Sequence, residues 1–165
     1  MVFPSLDSPG AGHRKPYPNP IRAKRRVPPL GWLGSFPGVD YTIKNLKQVD
    51  DVAAGAGLDD SLEARFAHED LDSERSGISY QVVKAGKRQP FAHKHGEMEE
   101  IYVVISGTGR VKLDEAIEEV GPLDAIRIAP SVTRAFEAGD DDLVLLVFSP
   151  RAKDDAEIVK DFGWD

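Results

Sequence analysis

Two of the four histidines in this chain stand one residue apart in His93-Lys94-His95. Two carboxylates, Glu99 and Glu100, follow a few residues on, with Gly107 beyond them. On an extended strand alternate side chains share a face, so His93 and His95 point the same way, with Phe91 ahead of them in the same column. A turn through Gly96-Glu97-Met98 that brings the chain back as a neighbouring strand sets Glu100 opposite the imidazoles. Two imidazoles and one carboxylate make a ligand set for a divalent transition metal: Fe(II) suits it, and Mn, Ni, Co and Zn are also accepted. Three ligands leave coordination positions open. Such a centre activates dioxygen, polarises a carbonyl or stabilises an enediolate during isomerisation. The bland alternative is that both histidines are exposed turn residues with nothing in common.

The spacing resembles the first motif of the cupin superfamily, which runs His-x-His, three or four residues, Glu, six residues, Gly. His93, His95, Glu100 and Gly107 fit it. Counting back from Gly107 selects Glu100 over Glu99, because the same gap from Glu99 lands on Ser106; Glu99 is then expected to face outward. The glycine that opens the motif is displaced, with Lys87 in its place and Gly86 one position early. The second cupin motif, which supplies another histidine ligand, is degenerate. Its five marked positions hold Leu123, Ala129, Ser131, Arg134 and Ala138, although the apolar alternation Ala125-Ile126-Arg127-Ile128, Pro130 and Ala135-Phe136 survive around them. The chain has no histidine after His95, so the only other imidazoles are His68 and, far upstream, His13.

Arg134 at the lost ligand position has three outcomes. A guanidinium about 6 Å from a divalent ion is repelled by roughly 5 kcal/mol at an effective dielectric of about 20. It turns away from the metal, or holds a substrate carboxylate or phosphate beside it, or pairs with Glu100 and displaces it. Arg134 and Tyr102, which shares Glu100's face by alternation, are the residues expected to meet a ligand. Tyr80 and Gln81 are further candidates for the cavity wall. His68 is either a fourth ligand or a solvated residue at a strand end. The paired acids Asp140-Asp141-Asp142 and Asp154-Asp155 read as turn and surface charge. No Ser-His-Asp arrangement, phosphate loop or dinucleotide fingerprint occurs.

The elements that must position these groups are strands. Leu62 to Phe66 alternates with period two, and Gly77 to Val83 is rich in sheet-favouring residues. Glu100 to Ser106 reads as a buried strand, Gly109 to Val120 as a hairpin around Asp114-Glu115, and Ala125 to Ile128 and Leu143 to Phe148 as two more. Leu46 to Leu58 reads as a short helix or irregular lead-in. Short strands punctuated by Gly, Asp and Pro predict an all-β sandwich or barrel, and the resemblance implies a double-stranded β-helix, or jelly roll. It covers residues 75–150 best, within a domain expected at 39–165. Ile158, Phe162 and Trp164 are expected to pack back on the barrel or on a second subunit.

At 165 residues one domain is the default. The absence of cysteine excludes disulfides and thiolate chemistry. No apolar run approaches a membrane span and no uninterrupted signal-peptide core is seen, so a soluble cytoplasmic protein is expected. Residues 1–40 carry six Lys or Arg and two Asp or Glu, a net of +4; with the total at −7 the remainder is −11. So acidic a body argues against nucleic acid as partner. Residues 1–38 hold eight of the twelve prolines and five glycines. They are expected to be a disordered or loosely docked tail, anchored at most through Trp32, Leu33 and Phe36, or to precede a true start at Val39; peptide mapping of the natural protein distinguishes these.

The resemblance implies a homodimer with a metal at His93, His95 and Glu100. Two functions are expected to compete. One is a metal-dependent enzyme, oxygenase, isomerase or decarboxylase-like, acting on a small anionic metabolite clamped by Arg134. The other is a non-catalytic binding or sensor barrel whose metal site is lost to an Arg134–Glu100 pair. A purely structural or interaction module is the third and weakest reading.

Overall fold

In a computed structural model of the chain, the described residues are 40–152, 154–160 and 162–164. The expectations for residues 1–38 and for a start at Val39 lie outside them. A 3₁₀ turn at Leu46–Gln48 and a short helix α1 (Val52–Gly55) lead into ten strands. Asp51 caps α1 by accepting from Ala53 N at 3.0 Å and ties it to the first strand by accepting from Ala64 N at 2.9 Å. Leu46 to Leu58 is therefore both the helix and the irregular lead-in that its composition allowed.

The strands are β1 (Leu62–Phe66), β2 (Ser76–Val83), β3 (Ala92–His95), β4 (Glu100–Ser106), β5 (Gly109–Leu113), β6 (Ala116–Val120), β7 (Ala125–Ile128), β8 (Arg134–Ala138), β9 (Leu143–Pro150) and β10 (Ala156–Val159). They form two five-stranded antiparallel sheets, ordered β1-β2-β9-β4-β7 and β10-β3-β8-β5-β6. Alternation decides what lies between them. Leu143, Leu145 and Val147 of β9 and Tyr102 and Val104 of β4 face Val111 of β5 and Phe136 of β8, and all are buried. Tyr102 and Phe136 stack with ring centroids 4.8 Å apart.

The hairpin between β5 and β6 turns at Asp114, whose φ of +49° is one that aspartate tolerates better than most side chains. Its carboxylate also accepts from Thr133 N at 2.9 Å. Gly107, the last residue of the first motif, has φ +80°, and a Cβ there would stand 2.2 Å from the carbonyl oxygen of Asp142. Gly107→Ala is therefore expected to destabilise the fold by about 2 kcal/mol, read from urea denaturation. An unchanged midpoint would mean that the turn tolerates a side chain.

The chain beyond β9 does pack back. In β10, Ile158 pairs with His93 of β3. Phe162 and Trp164 cover the outer face of the second sheet, where the Lys112 ammonium lies 4.8 Å from the Phe162 ring and Arg88 lies over Trp164 at 5.1 Å. On the first sheet the outer face of three adjacent strands is apolar: Ile101, Val103 and Ile105 of β4, Val144, Leu146 and Phe148 of β9, and Ile78 and Tyr80 of β2. Ile101, Ile105 and Phe148 are exposed. Among the described residues no helix is long and apolar enough to cross a membrane.

Candidate metal centre

His93 and His95 sit on β3 with their rings edge to face, 5.3 Å apart. One ligand atom from each of His93, His95 and Glu100 can be chosen so that all lie within 4.8 Å of one another. The cluster is the one expected from spacing, but the route to it differs. Glu100 opens β4, which is not the neighbour of β3; the two strands belong to opposite sheets. Gly96 to Glu99 crosses the edge of the sandwich, and Glu100 meets the imidazoles because the inner faces of the sheets confront each other at about 10 Å. Glu99, one residue earlier, faces out and pairs with Arg127 at 2.5 Å.

Around that point the electron pairs converge. Glu100 Oε2 lies 3.6 Å from His93 Nε2 and 3.5 Å from His95 Nε2, both beyond hydrogen-bonding reach. The two ring nitrogens of His95 are buried and have no hydrogen-bond partner among the described residues. Nδ1 is 3.3 Å from Asp155 Oδ2 and Nε2 is 3.5 Å from Glu100 Oε2, so each ring nitrogen faces a carboxylate and a neutral ring turns a bare lone pair toward one of them. Burial, opposed by the Glu100 charge and reinforced by Arg134, holds the His95 pKa below its ordinary value, which keeps the ring neutral near pH 7. A buried lone pair facing an anion is stabilised by a cation between them, and the donor set fits a divalent metal on that ground.

Asp155 was legible only as surface charge. It accepts from Met98 N at 2.9 Å and Glu97 N at 3.1 Å, and these backbone donors, Met98 first, hold its pKa below the usual carboxylate value against some desolvation. It fixes the crossing loop and lies beside the His95 ring. No local pattern marks it, since Glu97 is 58 residues away in sequence.

Arg134 pairs with Glu100. On β8 it stands directly across from His93, on the same inner face, and it is 0 % exposed. Its Nη2 donates to Glu100 Oε2 at 2.8 Å, and its Nη1 donates to the carbonyls of Val132 at 3.0 Å and of His93 and Pro130 at 3.4 Å. Tyr102, also fully buried, donates its hydroxyl to the same Oε2 at 2.5 Å. Burial pushes the Tyr102 pKa well up, so it stays protonated. Burial pushes the Glu100 carboxyl up too, but the His93 imidazole, the Tyr102 hydroxyl and the Arg134 guanidinium outweigh it and hold the pKa at about 2. Neither Arg134 nor Tyr102 reaches the cavity wall. They stand behind Glu100 and act through it.

In front of Glu100 lies a cavity of about 640 Å³, lined by His93, His95 and Glu100 and by residues of β1, β2, β9 and β10. Gln81 is on its wall, as expected. Tyr80 is not, because it faces the outside of the first sheet beneath the Lys47 ammonium, 4.2 Å from its ring centroid. His68 lines the cavity 3.5 Å from Glu69 and is not part of the cluster.

No protein-family model matches the sequence, and no curated protein matches it. Solved structures do. A cupin protein from Bacteroides fragilis is 26 % identical over 70 % of this chain and 88 % of its own, with a TM-score of 0.56. The chain has the cupin fold. Two further cupin-like structures agree in fold. A polyketide cyclase from Streptomyces resistomycificus is 23 % identical over 64 % of this chain and 74 % of its own, at a TM-score of 0.53. Oxalate decarboxylase from Bacillus subtilis is 20 % identical over 59 % of this chain and 28 % of its own, at 0.52. The two sheets are thus the double-stranded β-helix of a cupin barrel.

Proposed function

We propose that this cupin is a metal-dependent enzyme acting on a small organic molecule held in the cavity before Glu100, with His93, His95 and Glu100 as the metal ligands. The observation that carries the reading is the convergence of two imidazoles, one of them buried without partners, and one carboxylate on the wall of a cavity large enough for a substrate. A divalent ion supplies Lewis acidity there, or a site for dioxygen. The chain's own residues do the rest. Asp155 ties down the loop beside His95, Tyr102 and Arg134 fix the Glu100 carboxylate, and the apolar walls exclude water from the bound molecule.

The two neighbouring enzymes of known name, a cyclase and a decarboxylase, carry out different reactions on similar barrels, so the fold supports the reading without choosing the reaction. Elemental mass spectrometry of untagged full-length protein is expected to find about one equivalent of a transition metal, lost in His93→Ala/His95→Ala. A metal-free wild type that also takes up no Fe(II), Mn or Zn would sink the reading.

The Arg134–Glu100 ion pair favours a second reading, a binding or sensor barrel without metal, in which the carboxylate is already neutralised. Under it, ligands shift the melting temperature and metals do not. In either reading the protein is taken to be a homodimer, supported by the exposed Ile101, Ile105 and Phe148 on the outer face of the first sheet. Sedimentation is expected to give twice the chain mass, reduced to a monomer by Ile101→Lys/Phe148→Glu.

A further inference from the structure

The cavity wall opposite in character to the metal ligands is mostly apolar, with Leu58, Leu62, Phe66, Phe91, Met98 and Ile158 supplying its largest side chains. Among the described residues Arg151 is the one Lys or Arg on that wall. Its guanidinium is engaged, Nη2 on Glu69 Oε1 at 2.6 Å and Nη1 on the Ser73 carbonyl at 2.6 Å. Three acids, Glu69, Glu100 and Asp154, also line the space. Among the described residues an anionic ligand would therefore meet carboxylates and no free cation, and the clamp expected of Arg134 is spent on Glu100.

One polar track crosses the apolar wall, and its polarity is fixed. The backbone N–H of Phe136 can only donate, so the Gln89 oxygen that accepts from it at 3.0 Å is defined. The Gln89 amide nitrogen then donates to Gln81 Oε1 at 3.3 Å, and the Gln81 nitrogen donates to Ser79 Oγ at 3.1 Å. Each link follows from the one before it. The chain ends on the Ser79 hydroxyl, whose hydrogen has no acceptor among the described residues although Ser79 is only 4 % exposed. Gln81 and Gln89 each keep one N–H as well. The wall thus offers donors and wants an acceptor.

We infer that the cavity takes an uncharged, mainly apolar organic molecule of about two rings in size, oriented by a carbonyl or similar acceptor on the Ser79-Gln81-Gln89 track. The inference rests on the cavity being the working site proposed above, and it concerns the protein's own lining, apart from any charge that a bound metal adds.

Three matched probes separate the possibilities: 2-acetylnaphthalene, its acceptor-free isostere 2-ethylnaphthalene, and the anion 2-naphthoate. Titration calorimetry on full-length metal-free protein is expected to show the ketone binding at least tenfold tighter than the carboxylate and about fivefold tighter than the ethyl compound. Ser79→Ala/Gln81→Leu is expected to erase the fivefold advantage while leaving 2-ethylnaphthalene binding within twofold; Ser79→Ala alone serves if the double variant does not fold. Tighter binding of naphthoate to the metal-free protein, equal binding of ketone and isostere, or no binding of any probe would overturn the inference. Failure of the metal reading appears separately, as absence of metal from the protein before chelation, with the probe order of the metal-free protein unchanged.

Discussion

Arg134→Ala is expected to lower the unfolding free energy by about 3–5 kcal/mol, the largest effect of any single substitution proposed for this chain. The side chain is 0 % exposed and its charge is compensated by Glu100 at 2.8 Å, with three backbone carbonyls accepting from Nη1, while Nε has no partner among the described residues. Truncation leaves Glu100 as a buried anion with the Tyr102 hydroxyl as its remaining hydrogen-bond donor, and leaves a void where the guanidinium lay. Urea denaturation at neutral pH reads the cost. A loss below about 1 kcal/mol would mean that water reaches the pair and that it behaves as a surface ion pair. Arg134→His makes the comparison diagnostic. An imidazole is too short to reach the carbonyls, so stability falls again, but on β8 it faces His93 on the inner side of the barrel and removes a permanent cation from the metal's surroundings. Metal affinity is expected to rise at least tenfold as stability drops. Opposite signs in one variant cannot come from general damage to the fold.

Which parts of this structure were legible in the sequence follows from how locally each is encoded. Period-two alternation placed β1 and β7 residue for residue, the apolar run Glu100 to Ser106 placed β4, which is buried on one face only, and the Asp114-Glu115 turn placed the β5–β6 hairpin. The site residues His93, His95 and Glu100 were legible because their spacing is itself short-range. The relation between β3 and β4 was not, since a four-residue connection fits a neighbouring strand as well as a crossing to the facing sheet. β8 was marked only by Ala135-Phe136, because its Arg134 breaks the apolar inner column that identifies a strand. Asp155, and the alignment of Phe136, Gln89, Gln81 and Ser79 into one donor track, depend on contacts between residues far apart in the chain, for which no periodicity exists. The anionic ligand was an inference from Arg134 facing the cavity, and it loses its footing with that side chain turned to Glu100.

The Glu100 carboxylate makes a second large effect expected, on acidification. Its folded pKa of about 2 lies below the ordinary value of 4.5. A depressed carboxyl pKa means that the unfolded chain binds the proton more readily. The stabilisation is therefore complete above about pH 4.5 and is lost progressively as the pH falls toward 2. The difference of 2.5 pKa units corresponds to roughly 3 kcal/mol, and the side chain, 11 % exposed, is too enclosed for solvent to screen much of it. Glu63, Glu137 and Asp155 are also held below their ordinary values and add to acid lability, so the Glu100 share must be isolated by difference. Glu100→Gln keeps the shape and removes the titration. The wild type is expected to exceed it by roughly 3 kcal/mol at pH 7, and the gap is expected to close by about pH 2. A gap that persists unchanged into acid would place the cost of the substitution in packing instead of charge. It would also remove the ground for treating Glu100 as an anion held ready, by Arg134 and Tyr102, between two imidazoles.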